Sequence, residues 1–258
     1  CGSELMYSIE SGVLSITGQG AMNDYSLNSY SPWFHYRLYI QTIDISNGLT
    51  SIGNYSFYMF SNITKFVIPA SVIEIKQSAF ESCLGLQSIE IPYSVTSINE
   101  RAFKLCQSIQ TFELPSSLTK IGNNAFESCV NLIYITIPKR VTSIGDCAFI
   151  SCQMLEGVMF LGSSNPTYGS SLFNETKVSA VAVLDEYNDN NFCGYDVMKS
   201  TGQCGSQLNF NVKSGVLYIT GQGDMYDYTF NSLPPFHIFR FFIQIVNIDN
   251  SVTRIGNY

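Results

Sequence analysis

The stretch VTSINERAFKLCQSIQTFELP, from Val95 to Pro115, is followed almost at once by LTKIGNNAFESCVNLIYITIP, from Leu118 to Pro138. The two stretches keep the same apolar, cysteine and proline positions at a spacing of 23 residues. The spacing continues in both directions without an insertion, and its most regular members are Phe57, Phe80, Phe103, Phe126 and Phe149. A constant period of about 20–29 residues predicts a solenoid in which each turn stacks on its neighbours.

Each period predicts two short strands and one tight turn. LQSIEIP (Leu86–Pro92) alternates apolar and polar residues, as a strand does, and VTSI (Val95–Ile98) is a second extended piece. RAFKLC (Arg101–Cys106) is too short for a regular helix and predicts one helical turn. Because like strands of successive turns would lie side by side, we expect a β-rich solenoid with a parallel sheet and short helical turns.

The composition restricts the class of partner. Charged residues make up 13% of the chain, the net charge is −7 and the pI is about 4.8. This acidic balance, without any basic run, argues against nucleic acid or an anionic membrane as the main partner. The longest apolar stretch, Phe236–Ile248, contains Arg240 and falls below the ~20 residues of a membrane span, so it predicts a buried strand and no membrane insertion.

The regions on either side of the repeats divide the chain into four parts. ELMYSIESGVLSITGQG (Glu4–Gly20) predicts a hairpin with its turn at Ser11-Gly12, which would cover the open face of the first turn. The same pattern begins again at Cys204 and stops where a second array should start, so we expect either that the natural protein is longer or that the gene product is incomplete. The expected parts are an N-terminal β-hairpin capping module (1–48), five 23-residue leucine-rich repeats (49–160), an irregular C-terminal cover (161–203) and an incomplete second capping module (204–258).

The repeat unit V-T-S-I-G-x-x-A-F-x-x-C-x-x-L-x-x-I-x-I-P is complete enough to compare with known families. Its key positions in one turn are Val141, Ile144, Ala148, Phe149, Cys152 and Leu155. The unit resembles the BspA-like leucine-rich repeat from Leu49 to about Phe160. Members of that family occur on the surfaces of anaerobic bacteria and mucosal protozoan parasites. The resemblance therefore implies a cell-surface or secreted protein that adheres to host proteins, matrix or other cells; the alternative is a structural spacer without a specific ligand.

The cysteines fall into two groups. Cys83, Cys106, Cys129 and Cys152 occupy one slot on successive turns, where buried packing thiols, stacked disulfides and a metal site are the alternatives. Packing is favoured, because parallel side chains suit a disulfide poorly and no histidine lies nearby for zinc. Cys147 lies outside this slot and is expected to be an exposed thiol. Cys193 and Cys204 lie in loop-rich sequence and could form a disulfide if the protein is extracellular.

Few residues suggest catalysis or modification. No serine or cysteine lies in a nucleophile-elbow motif, so we expect no enzyme activity, no cofactor and no metal. The two histidines, His35 and His237, fall in corresponding parts of the two capping modules and are read as structural. Three triplets fit the N-glycosylation pattern, beginning at Asn54, Asn62 and Asn174.

One strip of residues is free to vary from turn to turn. It consists of the outward positions of the LQSIEIP-type strands, and its candidate ligand-binding residues are Lys65, Ser88, Glu90, Thr111, Glu113, Tyr134 and Thr136. Stacking would place Glu90 next to Glu113, a like-charge contact, with Tyr134 close by as a residue type common in binding hot spots. We expect a continuous surface for a protein, cell-surface or matrix ligand; the alternative is a solvated polar face.

Overall fold

The computed structural model describes residues 1–229 and 232–257. The chain divides into two compact units. The first contains Cys1–Glu156 and Asn165–Val178, and the second contains Gly157–Ser164 and Ser179–Tyr258. The candidate strip lies entirely in the first unit.

The first unit opens with the predicted hairpin. Strands β1 (Glu4–Glu10) and β2 (Val13–Ala21) are antiparallel, and β3 (Thr42–Ile45) pairs in parallel with β2. The tight turn is possible because Ser11 and Gly12 both adopt positive φ angles, 48° and 80°. A 3₁₀ helix, Phe34–Tyr36, follows the hairpin.

The capping module is joined to the first repeat by a buried tryptophan. Trp33 is fully buried, and its indole Nε1 donates a hydrogen bond of 2.7 Å to the carbonyl of Ser56. Its ring stacks on Phe57 at 6.0 Å between centroids. Trp33 of the capping module therefore covers part of the apolar face of the first turn.

One sheet runs through the whole repeat array. It continues from β2 in the order β4 (Leu49–Ile52), β6 (Glu74–Ile75), β8 (Ser97–Ile98), β10 (Lys120–Ile121), β12 (Ser143–Ile144) and β14 (Thr167–Tyr168). Residues one period apart are direct partners, for example Ile75 with Ile98 and Ile98 with Ile121. The parallel solenoid predicted from the period is confirmed.

The second set of strands is interrupted, unlike the expected continuous sheet. It contains β5 (Lys65–Val67), β7 (Ser88–Glu90), β9 (Thr111–Phe112) and β11 (Tyr134–Ile137). β5 pairs with β7 and β9 with β11, but the described residues show no ladder between β7 and β9. Two carboxylates, Glu90 and Glu113, lie on the two sides of this step, and like charges oppose close approach of neighbouring strands.

The Ala-Phe segment of each repeat forms consecutive tight turns and no regular helix; in one repeat the N–H of Lys104 donates to the carbonyl of Arg101 and that of Cys106 to the carbonyl of Phe103. In one repeat Arg101 and Leu105 have φ angles of 54° and 62°. A left-handed residue every few positions interrupts a right-handed helix. The described 3₁₀ helices lie instead in the two capping modules.

The core of the array is a column of aromatic rings. Phe57, Phe80, Phe103, Phe126 and Phe149 are all fully buried. Adjacent rings are nearly parallel, with centroids 5.2–5.6 Å apart. Each ring therefore needs the turn above and the turn below, which explains why a single repeat cannot bury its own apolar face.

A sixth turn of the array lies in the region expected to be an irregular cover. β14 pairs with β12 in parallel, and Phe173 stacks on Phe149 at 5.5 Å. Phe173 comes 24 residues after Phe149, so one extra residue breaks the strict period while the packing continues.

The second unit contains the remaining strands. In one sheet β13 (Gly157–Phe160), β15 (Val181–Val183) and β17 (Tyr195–Lys199) are parallel, and β16 (Asn191–Phe192) is antiparallel to β17. The second capping module has β18 (Thr201–Gln203), β19 (Leu208–Lys213), β20 (Val216–Gly221) and β22 (Ile245–Ile248) in one sheet. β21 (Gly223–Asp224) pairs with β23 (Val252–Arg254), and a 3₁₀ helix spans His237–Phe239.

The apolar stretch Phe236–Ile248 is not the buried strand that its composition predicts. Its first part forms the 3₁₀ helix, in which Phe239 is fully buried. Its last part is β22, whose four residues are all exposed. Apolar composition alone does not show whether another element covers a strand.

Candidate binding surface

The predicted strip lies on the outer face of β5, β7, β9 and β11 and the residues that follow them. Five of its seven residues are exposed, and Tyr134 and Thr136 are half-buried. The exposed residues are Lys65, Ser88, Glu90, Thr111 and Glu113. The structure therefore brings the predicted residues to one face, divided by the step between β7 and β9.

An ion pair changes the expected charge pattern of the strip. Lys65 Nζ lies 2.6 Å from Glu90 Oε1, and both side chains are about 60% exposed. The carboxylate of Glu90 therefore faces a lysine on the preceding turn. Glu113 is exposed and has no ion pair with any residue in the described part of the chain.

A groove of about 320 Å³ opens at the step between β7 and β9. Its lining residues are Ser88, Ile89, Glu90, Ile91, Thr111 and Glu113. Ile89 and Ile91 are half-buried here, although the alternation of the sequence places them inward. Neither isoleucine is among the residues predicted for the strip, and the one sequence signal of the groove is the adjacency of Glu90 and Glu113.

Two further grooves lie beside this one. A groove of about 420 Å³ lies between β3 and β5 and includes Asp44, Lys65 and Val67, of which Val67 is 50% exposed. A polar groove of about 460 Å³ is lined by Gln87, Ser108, Gln110, Thr111 and Asn131. The face is therefore corrugated, which suits an extended ligand better than a compact small molecule.

The cysteine ladder packs as apolar side chains that donate hydrogen bonds. Cys83, Cys106, Cys129 and Cys152 are buried, and each Sγ lies 3.1–3.2 Å from a phenylalanine carbonyl oxygen of the preceding turn. Burial raises the pKa of the Cys83 thiol to about 12, and the pKa values of Cys106 and Cys129 lie well above the ordinary value for the same reason. The thiols of Cys83, Cys106 and Cys129 are therefore protonated and poorly reactive.

Cys193 and Cys204, which could pair in an extracellular protein, are not joined by a disulfide in this structure. Cys193 lies in the turn between β16 and β17, with φ 53°, and Cys204 is in the apolar core of the second capping module. Burial raises the pKa of both thiols, that of Cys193 to about 12. Each sulfur is thus held in its own packed environment. Cys147, expected to be exposed, is half-buried.

The three glycosylation triplets have different surroundings, and their use stays a prediction. Asn54 is half-buried, and its Oδ1 accepts a hydrogen bond of 3.0 Å from the backbone N–H of Gln77. Asn62 is exposed, but its Nδ2 donates to the carbonyl of Leu38. Asn174 is exposed as well. Because a glycan is attached at Nδ2, attachment would disturb the contact of Asn62 and leave the Oδ1 acceptor of Asn54 in place.

The described residues contain no group of three or more His, Cys, Asp or Glu side chains placed to hold a metal ion. Within the same residues, no helix is long and apolar enough to cross a membrane.

The repeat geometry agrees with a known sequence family. The BspA type leucine rich repeat region matches residues 28–156 and 73–193, with six copies of the repeat. The chain belongs to the BspA-type leucine-rich-repeat family. This family is defined by a repeat and not by a reaction. No match was found among curated proteins.

Solved structures of bacterial leucine-rich-repeat proteins are similar to this chain. A protein from Eubacterium ventriosum has a TM-score of 0.57 and 23% identity over 99% of this chain, and the chain spans 60% of its length. A leucine rich cell surface protein from Faecalibacterium prausnitzii has a TM-score of 0.46 and 17% identity over 99% of this chain and 72% of its own. The first of these likenesses supports the fold alone.

Proposed function

We propose that this chain is a non-catalytic binding segment of a cell-surface or secreted adhesion protein. Its ligand is a host protein, a matrix component or another cell surface. Membership of the BspA-type family supports this proposal, and the printed description of the Faecalibacterium protein as a cell surface protein agrees with it. The chain acts as a surface, without a cofactor.

The observation that carries the proposal is the contrast between the two sides of the β5–β11 strands. The buried side repeats the same apolar residue types, whereas the outer side changes from turn to turn and is exposed at Lys65, Ser88, Glu90, Thr111 and Glu113. Packing therefore fixes the first set and leaves the second free for recognition. Extended faces of this kind are the usual binding surfaces of repeat solenoids.

The test is binding of the purified protein to epithelial cells and to immobilised matrix proteins. Glu90, Glu113 and Tyr134 are replaced together by Ser, and the expected result is a loss of most of the binding. A matched control replaces Glu4, Glu10 and Tyr93 by Ser, because these residues are exposed and lie off the strip. If the folded strip variant binds as well as the control, the strip is not the binding surface, and the spacer role is favoured.

A further inference from the structure

The opening between β7 and β9 affects only one side of the array. On the other sheet the same two turns are joined in parallel register, with Glu74 opposite Ser97 and Ile75 opposite Ile98. The phenylalanine rings of these turns, Phe80 and Phe103, also remain stacked at 5.3 Å. The solenoid is therefore closed through its core at this level and open only at the strip.

The opening uncovers apolar surface that is buried elsewhere. The counterparts of Ile89 on neighbouring turns, Phe66 and Phe112, are at most 5% exposed, while Ile89 itself is half-buried. Of the counterparts of Ile91, Ile68 and Ile137 are buried, while Leu114, on the next turn, is half-buried like Ile91 itself. The groove thus has apolar positions at its base and polar ones, such as Thr111, at its rim.

The facing edges of β7 and β9 also carry backbone groups outside any ladder. Each strand uses one edge for its partner, β5 or β11, and the described residues show no ladder on the other edge. Carbonyl oxygens at such an edge accept hydrogen bonds from a ligand as readily as from a strand. The same edge also presents N–H groups, so an extended segment can both donate and accept hydrogen bonds there.

The charges around the groove favour a cation. Glu113 has no ion pair among the described residues, and Glu90 is held only by the exposed contact with Lys65. Exposed ion pairs of this kind contribute little and exchange readily. The overall charge of −7 adds long-range attraction for a basic partner.

Together these features describe a slot for one amino-acid side chain. We infer that the groove between β7 and β9 binds an arginine side chain on an extended segment of a protein partner. Arginine fits because its planar guanidinium donates to carboxylates and carbonyls at once, while its aliphatic stem packs on apolar surface. The aliphatic stem would lie against Ile89 and Ile91 and the guanidinium against Glu113. This inference rests on the proposed function, since it names the chemistry that the strip recognises.

The test uses a fluorescent peptide, Ser-Val-Arg-Val-Ser, and the same peptide with citrulline, the uncharged isostere, in place of arginine. Fluorescence anisotropy at low ionic strength gives the affinities, and NMR amide shifts locate the site. We expect shifts confined to residues 88–91 and 111–113. We expect about tenfold weaker binding of the citrulline peptide, the effect of about 1.4 kcal/mol.

Two substitutions should change the affinity in opposite directions. Glu113→Gln should weaken binding of the arginine peptide about fivefold, whereas Lys65→Met should strengthen it by releasing the carboxylate of Glu90. Glu10→Gln, an exposed change on β1, should have no effect. The inference is overturned if Glu113→Gln and Glu10→Gln act alike, or if the shifts spread over the acidic surface.

The peptide experiment and the adhesion experiment fail independently. If the arginine peptide does not bind but the strip variant still loses adhesion, the proposed function stands and the arginine slot is wrong. If the peptide binds at the groove but adhesion is unchanged in the strip variant, the slot is real and adhesion uses another surface.

Discussion

The capping module occurs twice in this chain, and the two copies differ in what covers them. In the first copy Ile43 is 8% exposed and Ile52 is fully buried. Their counterparts in the second copy, Val246 and Ile255, are 53% and 64% exposed. The apolar pattern is nearly the same in both, so burial of this face depends on the following turn and not on the module.

The hairpins themselves hardly differ. Ser11-Gly12 and Ser214-Gly215 both adopt positive φ angles, and each pair joins two antiparallel strands in the same register. The module's own sequence therefore specifies the hairpin. The following repeat provides the contacts that bury the apolar face of the module.

The largest expected effect tests whether burial of this face depends on the following turn. Ile52→Ala should lower the free energy of unfolding by about 2–5 kcal/mol, because it leaves a cavity between the hairpin and the first turn. Ile255→Ala removes the same atoms from an exposed site and should change it by less than about 0.5 kcal/mol. Trp33 is the only tryptophan of the chain and lies in the first unit, so its fluorescence during urea unfolding reports the Ile52 variant.

Circular dichroism of both variants during urea unfolding measures the free energy of unfolding for the second unit. Equal losses for Ile52→Ala and Ile255→Ala would mean that the exposed face of the second module is buried in solution. That result would contradict the difference between the two copies.

The period made the fold largely predictable from the sequence. Each phenylalanine of the Phe57–Phe149 column stacks on the same residue of the next turn, so these residues must recur at a fixed spacing. That spacing can be read directly from the sequence. The sixth turn was missed because one extra residue precedes Phe173, which breaks the count but not the stacking. The exposure of β22 was missed because apolar residues do not reveal what lies against them.

The candidate site was predictable only in part. Alternation along each strand identified Lys65, Ser88, Glu90, Thr111 and Glu113 as outward, and all five are exposed. Alternation within one strand carries no information on the spacing between two turns, which depends on side chains from both. The groove between β7 and β9, and the half-burial of its isoleucines, therefore appeared only in the structure.

Thiol reactivity should show the second-largest difference between the two modules. Cys1 is half-buried, whereas its counterpart Cys204 is fully buried and burial raises its thiol pKa. Because the thiolate is the reactive form, iodoacetamide at pH 8 should label Cys1 and the half-buried Cys147 much faster than Cys204. Peptide mass spectrometry of the native protein gives each rate.

The four ladder cysteines should be labelled as slowly as Cys204, since they combine full burial with a hydrogen bond to a carbonyl. Complete labelling in urea shows that every site can react. Fast labelling of Cys106 or Cys129 without urea would mean that the turns open readily, and the array would then be less rigid than its packing indicates.

The smallest expected effect concerns an aspartate at the same place in each module. Asp24 Oδ2 lies 3.0 Å from Lys76 Nζ, and Asp227 Oδ1 lies 2.9 Å from Arg254 Nη1. The hydrogen bond from Arg254, and then one from the backbone N–H of Asn257, lowers the pKa of Asp227. A carboxyl group with a lowered pKa stabilises the fold above its unfolded pKa of about 3.9, and this contribution is lost as the pH falls through the lowered value.

Replacing the arginine isolates that contribution. Arg254→Gln should raise the pKa of Asp227 towards its ordinary value, and added salt should reduce the difference between variant and parent because the pair is exposed. Carboxyl-carbon NMR titration measures the pKa directly, with Lys76→Gln as the control that should leave Asp227 unchanged. An unaltered titration of Asp227 in Arg254→Gln would mean that the backbone N–H of Asn257 alone holds the carboxylate. The lowered pKa of Asp227 would then not depend on Arg254, whereas in the first module Asp24 is bound by Lys76 of the repeat array.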